Sequence, residues 1–319
     1  MVVADSPQVP VETVNFHLWQ PCNMSCHFCF ATFRDVRRSV LPEGHLRRAD
    51  ARRVVARLAG AGFKKITFAG GEPLLCPWLG ELVALAHGLG LTTAVVTNGS
   101  LLDEAALRTF GGTLDWITVS IDSVRPDTLR SLGRSTAGRV TTEEGYLALC
   151  LRVRELGFRL KVNTVVNARN WREDMGDFIL AARPERWKVF QVLPVEGQNS
   201  RKVDPLLITP EQFDSFVARN LRVELRGIPL IPEDNDAMTG SYAMVDPAGR
   251  FFDAVDPHGY TYSRPILEVG VHRAIAQITV SRDKFLARGG LYGTADPAGP
   301  GREARVGVGY GGARPKAVG

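Results

Sequence analysis

The sequence predicts an α/β protein: six βα units in succession, forming a parallel sheet that is either open or curled into a partial barrel. Two observations carry this. Strand-like apolar runs alternate with segments of helical period, joined by short connections. The two motifs richest in chemistry, a cysteine loop and a Gly-Gly turn, each directly follow a strand, the end at which parallel α/β folds place their sites.

Thr13 to Trp19 reads as the first strand and leads into the cysteine loop. A helix from Ala49 to Ala61 follows, with Ala51, Val54, Val55 and Leu58 on one face and Arg52, Arg53 and Arg57 on the other. The second strand is Lys64 to Ala69, then a helix Trp78 to Leu89 and a third strand Thr92 to Thr97. Asp103 caps the next helix, and Asp115 to Ile121 is the fourth strand. Tyr146, Leu149, Val153 and Leu156 form a helical stripe that takes in Cys150, so this cysteine belongs to the core. The fifth strand is Arg159 to Val166; a short helix near Asp177 precedes the sixth, Trp187 to Val195. Beyond residue 208 the pattern changes to an α+β extension: a helix Pro210 to Leu221, a hairpin from Ser241 to Phe252 around Pro-Ala-Gly, and a last helix ending at Gly289-Gly290. The expected division is an N-terminal segment 1–12, a βα unit 13–208, an extension 209–292 and a glycine-rich disordered tail 293–319.

Composition narrows the function classes. With 319 residues and 45% hydrophobic composition the chain can bury one large core. No apolar run has the length of a membrane span, and Met1 to Pro10 lacks the basic flank and apolar stretch of an export signal. With no disulfide framework, the expectation is a cytoplasmic protein free of membranes. The arginines between Arg34 and Arg57 fall on the solvated face of an amphipathic helix, so the net charge of +5 calls for no nucleic acid, although a small anionic substrate suits it.

Cys22, Cys26 and Cys29 supply three thiolates from one loop with C-x3-C-x2-C spacing. A [4Fe–4S] cube has four irons, and an electron-transfer cluster normally uses four cysteines. Three ligands leave one iron open, for which S-adenosylmethionine is the strongest candidate. A zinc site completed by His17 or His27 is the alternative, in a protein that would then be a metal-stabilised binding module. One βα unit later, Gly70-Gly71-Glu72-Pro73 follows the second strand, and adjacent glycines let backbone approach a ligand. The pairing of the two motifs is that of radical S-adenosylmethionine enzymes. On the fifth strand Lys161 and Asn163 share one face, as do Arg186 and Lys188 on the sixth. Buried cations on neighbouring strands need an anion or water to compensate them, and a polyphosphate in a barrel lumen would do so.

Further stretches extend the pattern: Lys65 to Pro73, Thr97-Asn98-Gly99-Ser100, Ser120 to Ser123, Leu132-Gly133-Arg134, Arg186-Trp187-Lys188-Val189-Phe190-Gln191, Ser241-Tyr242 and Phe285 to Gly290. In these the chain resembles the viperin family of antiviral radical S-adenosylmethionine enzymes, from about Thr13 to Gly290. The resemblance implies a partial (βα)6 barrel of the radical SAM type, a [4Fe–4S] cluster on Cys22, Cys26 and Cys29, and bound S-adenosylmethionine. It implies dehydration of a nucleoside triphosphate, CTP first and UTP or GTP next, to its 3′-deoxy-3′,4′-didehydro form, a terminator of viral polymerases. Gly70, Gly71, Glu72, Asn98, Ser120 and Arg134 would contact the cofactor; Lys65, Lys161, Asn163, Arg186 and Lys188 the substrate; and Tyr242 would return a hydrogen. A flavodoxin- or ferredoxin-type reductant and a monomeric state complete the expectation. Another radical S-adenosylmethionine enzyme is the remaining alternative, although the absence of any cysteine after Cys150 disfavours those with auxiliary clusters.

Overall fold

β1 (Thr13–Trp19) opens a ten-stranded sheet in a computed structural model that describes residues 9–292. The proposed tail, 293–319, and residues 1–8 lie outside the described residues. In chain order follow α1 (Arg34–Ser39), α2 (Arg48–Gly60), β2 (Lys65–Gly70), α3 (Leu79–Gly88), β3 (Thr92–Thr97), α4 (Glu104–Thr109) and β4 (Trp116–Ser120). Then come α5 (Pro126–Ser131), α6 (Glu143–Glu155), β5 (Arg159–Val166), α7 (Gly176–Ala182), β6 (Arg186–Gln191), α8 (Pro210–Asn220) and β7 (Leu230–Glu233). The chain closes with α9 (Asn235–Met238), β8 (Ala243–Val245), β9 (Phe251–Asp253), β10 (Thr261–Tyr262), α10 (Ile266–Val269), α11 (Val271–Ile275) and α12 (Arg282–Ala287).

The strand order is β10-β9-β8-β1-β2-β3-β4-β5-β6-β7. All neighbours from β8 to β7 run parallel, and β9 and β10 add antiparallel pairs. The six expected strands are therefore all present, and the segment after residue 208 extends the same sheet at both edges. Alternation sorts the two faces. Val14, Phe16, Ile66, Phe68, Val95, Ile117, Val119, Leu160, Val162, Trp187 and Val189 are buried in the main core. Each large side chain so buried contributes about 1.5–3 kcal/mol before entropy is counted. The other face carries Asn15, Thr67, Thr118, Asn163 and the cations.

β7 and β8 stand at opposite ends of the parallel run, and a flat sheet would hold them about 34 Å apart. Only Asp234 to Tyr242 connect them, and the Tyr242 hydroxyl, next to β8, donates to Glu233 of β7. The sheet must curl, and its polar face becomes a concave lumen. It is not closed: the terminal strands β10 and β7 are each paired on one side only.

Local chemistry explains the boundaries. α2 buries the four expected apolar residues and exposes Arg52, Arg53 and Arg57. Asp103 caps α4 by accepting from the Ala106 N–H at 2.8 Å. Cys150 is buried between Tyr146 and Val153, whereas Leu156 lies past the end of α6 and is 38% exposed, so the apolar stripe is shorter than its spacing suggests. β6 stops at Gln191 rather than Val195, since Pro194 cannot donate to a ladder. β7 escaped the sequence reading for a related reason: its Leu-Ile-Pro-Glu run contains a proline, which this edge strand tolerates.

Candidate active site

The cysteine loop leaves β1 at the C-terminal edge of the sheet. Cys22 is exposed, and Cys26 and Cys29 are partly buried. The Cys29 N–H donates to the Cys26 carbonyl at 3.2 Å, and the Met24 N–H approaches the Cys22 sulfur at 3.5 Å. Burial pushes all three thiols up, Cys29 to about 12, so unaided they are not ionised nucleophiles. Arg134 opposes this at Cys26, its Nη1 3.8 Å from the sulfur. Among the described residues no three His, Cys, Asp or Glu side chains converge as one metal ion would need. A cube does not demand that convergence, since each thiolate takes a separate iron. Of the two histidines weighed as a fourth ligand, His27 is exposed and His17 is buried among Phe30, Phe33 and Phe252, its pKa lowered to about 4 by burial.

The Gly-Gly turn is fastened to this loop. The Gly71 N–H donates to the Trp19 carbonyl at 2.6 Å and the Glu72 N–H to that of Pro21 at 2.9 Å. A Cβ on Gly70 would stand 2.3 Å from the Trp19 oxygen, and one on Gly71 2.3 Å from the Gln20 oxygen. The glycines are thus required by backbone against backbone, before any ligand is considered. Gly71→Ala should force the two loops apart, costing about 1–3 kcal/mol and lowering the iron retained after reconstitution. Thermal melting and iron content check this; a variant as stable and as iron-rich as the parent would refute the clash.

Glu72 is fully buried, its pKa raised by desolvation. Its carboxylate accepts from the Leu74 N–H at 3.0 Å, the Thr97 hydroxyl at 2.8 Å and the Asn98 N–H at 2.8 Å. It therefore latches the ends of β2 and β3 together. Asn98 in turn donates to Asn23 of the cysteine loop at 2.8 Å and accepts from Ser100. Arg134 is buried, paired through Nε with Asp122 at 2.7 Å, and donates to the Ser120 carbonyl at 2.7 Å. Gly133 beside it has φ 73° and comes so close to the loop that a Cβ would meet the Ser25 oxygen at 2.4 Å. All six residues expected around the cofactor therefore gather on the carboxyl ends of β2 to β4 and the loops that follow, next to the thiols.

The cations lie elsewhere in the lumen. Register sets Lys161 beside Arg186 and Asn163 beside Lys188, with Ser120 beyond Asn163 on β4. Lys65 is the first residue of β2, Arg186 the first of β6, and Lys65, Lys161 and Lys188 are all buried. Unlike the cysteine loop and the Gly-Gly turn at the carboxyl ends, the cationic face begins at the amino ends of β2 and β6 and runs upward. From Lys65 to Gly70 along β2 is about 16 Å.

Tyr292 stands among these cations. Lys65 Nζ lies 3.8 Å from its ring centroid and the Arg186 guanidinium 4.2 Å, while Lys161 Nζ donates to its hydroxyl at 3.1 Å. Burial would raise the Tyr292 pKa, but Lys161, Lys65 and Lys188 outweigh it and bring it to about 7. Higher in the lumen Lys188 pairs with Glu233, which is fully buried and also accepts from the Tyr242 hydroxyl. Arg288 stacks over Tyr242 at 3.6 Å and lies 4.0 Å from Glu233. Burial, then the Glu233 charge, raises the Tyr242 pKa well above normal, so the phenol keeps its hydrogen. The Asn163 Oδ1 is buried with no partner, an acceptor facing this space. Sequence reasoning missed Glu233, Arg288 and Tyr292. Arg288 lay within a matched stretch without an assigned role, whereas nothing local marks Glu233, whose partner is 45 residues away.

The radical SAM superfamily profile matches residues 19–179. An S-adenosylmethionine-dependent nucleotide dehydratase of Flammeovirga pacifica is 49% identical over 282 residues, covering 88% of this chain and 96% of that protein. One from Lacinutrix mariniflava is 49% identical over 284 residues, but this chain spans only 58% of its length, against 88% of its own. The S-adenosylmethionine-dependent nucleotide dehydratase RSAD2 of Danio rerio is 35% identical over 301 residues, 90% of this chain and 79% of that protein. Among solved structures, Streptococcus suis SuiB bound to S-adenosylmethionine superposes with TM-score 0.61 at 14% identity, covering 76% of this chain and 59% of SuiB, a likeness of fold.

Proposed function

Because the chain belongs to the radical SAM superfamily and, within it, to the S-adenosylmethionine-dependent nucleotide dehydratases, we propose that it removes water from the ribose of a nucleoside triphosphate. CTP is the first candidate substrate, and the 3′-deoxy-3′,4′-didehydro nucleotide the product. The observation that carries this reading is the cationic wall of Lys65, Lys161, Arg186 and Lys188 on the concave face, below the cysteine loop.

Cys22, Cys26 and Cys29 would hold a [4Fe–4S] cluster, and the carboxyl ends of β2 to β4 would hold S-adenosylmethionine; together these groups supply a 5′-deoxyadenosyl radical. The chain itself positions and shields. Arg186 can grip a phosphate through two parallel N–H bonds, while the lysines act as point charges. Fixing the phosphate chain orients the ribose, and orientation lowers the barrier. Tyr242, protonated and hydrogen-bonded to Glu233, is the proposed donor of the returning hydrogen, with Asn163 a polar contact for the sugar.

Anaerobic turnover with S-adenosylmethionine and dithionite, run against each nucleoside triphosphate, tests the reading. The expected result is 5′-deoxyadenosine formed in step with a product lighter by one water. Uncoupled background with all four would overturn it. The lysines add a pH signature. Burial, reinforced by Lys161, Arg159 and Arg186, lowers the Lys65 pKa to about 8, and burial lowers that of Lys188 to a similar value despite Glu233. Both are charged below that pH and lose charge above it, so kcat/KM for the nucleotide should fall as pH rises through about 8. Nucleotide-free cleavage of S-adenosylmethionine should not share that limb, and Lys65→Arg should make it shallower, leaving the part due to Lys188.

A further inference from the structure

The proposed reaction consumes electrons that no side chain here can replenish, so a donor must reach the cysteine loop from outside. The loop offers it an open face, with Cys22, Ser25, His27 and Phe30 exposed. Around that face lie five exposed cations: Arg34, Arg37 and Arg38 on α1, which begins just after Cys29, and Arg201 and Lys202 on the loop after β6.

Both segments are fixed to the cysteine loop. The Asn199 side chain donates to the Phe28 carbonyl at 3.0 Å, and Gln198 accepts from the Phe33 N–H at 2.9 Å and the Thr32 hydroxyl at 2.6 Å. Tyr260 donates to the Phe30 carbonyl at 2.8 Å. Asp35, the acid within α1, is half-buried and occupied by Gln198 and Tyr262, leaving Glu43, Glu196 and Asp204 as the exposed acids of these segments.

Elsewhere some exposed arginines are paired, Arg48 and Arg52 with Glu81, Arg53 with Asp50, Arg108 with Glu104 and Arg130 with Asp127, whereas others, Arg57 among them, are not. Among the described residues none of the five around the loop has a carboxylate in ion-pair range. A helix C-terminus accounts for Arg37 and Arg38, since it attracts cations. It does not account for Arg34 at the opposite end of α1, where the dipole disfavours positive charge, nor for Arg201 and Lys202.

We propose that this collar is the docking face for an acidic one-electron carrier protein, steered onto the cysteine loop by charge. The inference rests on the radical reading above and adds the partner's landing site. A flavin carrier arriving as the anionic hydroquinone gives up one electron to the cluster and leaves as the neutral semiquinone; no other bond changes. Such steering acts on encounter rate and weakens with salt.

The test uses the reconstituted holoenzyme and a recombinant acidic flavodoxin. Binding is read by calorimetry, and anaerobic flavin oxidation by stopped flow, at low and high salt. The variant Arg34→Glu, Arg37→Glu, Arg38→Glu should weaken binding and slow flavin oxidation about ten-fold or more at low salt, the deficit shrinking at high salt. Its cluster absorbance and its dithionite-driven formation of 5′-deoxyadenosine should match the parent. Arg57→Glu, an exposed reversal on α2, should change little. Equal binding by the triple variant and the Arg57→Glu control, or parent binding indifferent to salt, would overturn the docking face. Failure of the parent with dithionite would instead count against the proposed reaction, and the calorimetry would still decide the docking face.

Discussion

Cys26→Ala should yield a folded, colourless protein that makes no 5′-deoxyadenosine. With only Cys22 and Cys29 left, the loop cannot fill three corners of a cube, so the absorbance near ~400 nm expected of a cysteine-ligated cluster should fall to background, along with bound iron and sulfide. The cost to the fold should be small, about 1–2 kcal/mol or less, because the lost sulfur is only partly buried. Cys150→Ala supplies the contrast: this thiol is fully buried in the main core, so the variant should melt earlier yet keep its colour. Iron content and thermal melting of the two variants check both halves. Full cluster loading in Cys26→Ala would sink the three-thiolate assignment.

Lys188→Ala should be the most damaging single change in the lumen, for two separable reasons. The Lys188–Glu233 pair is buried on both sides, and removing one partner of such a pair leaves a charge without compensation, at about 3–5 kcal/mol. Loss of a charge-assisted contact to phosphate should also lower kcat/KM by about 10–100-fold. The combination Lys188→Met with Glu233→Gln separates the effects. It removes both charges, so stability should largely return, while triphosphate turnover stays low. Nucleotide-free cleavage of S-adenosylmethionine should persist in the double variant. If turnover recovers together with stability, Lys188 serves the fold and not the substrate.

How much of this was legible depended on whether the information was local. The strand of Thr13–Trp19 and the fifth strand, Arg159–Val166, could be bounded from pattern alone because apolar runs and turn residues define them. The three thiols, the Gly-Gly turn and the facing cations on β5 and β6 were legible for the same reason: spacing and alternation fix them within a few residues. What stayed hidden was long-range. Neither Glu233 nor Tyr292 lies in a motif, and each acquires meaning only when the sheet curls and sets it against lysines from distant strands. The latch made by Glu72 was hidden too, since its partners belong to the next strand and its loop.

The two halves of the proposed site meet on one strand, β2, which has Lys65 at its amino end and Gly70 at its carboxyl end, and a strand cannot be stretched. The about 16 Å from Lys65 to Gly70 is fixed by backbone geometry, whatever the side chains do. On the reading proposed here the sheet therefore works as a ruler, and the phosphate chain is the rod it measures. With its last phosphate seated among Lys65, Lys161 and Arg186 in place of the Tyr292 ring, a nucleotide one or two phosphates shorter would bring its sugar up short of the cysteine end. Seated by its sugar instead, it leaves the lowest cations without an anion. On that reading, phosphate number would be selected by the length of a β-strand, independently of whichever base the protein prefers.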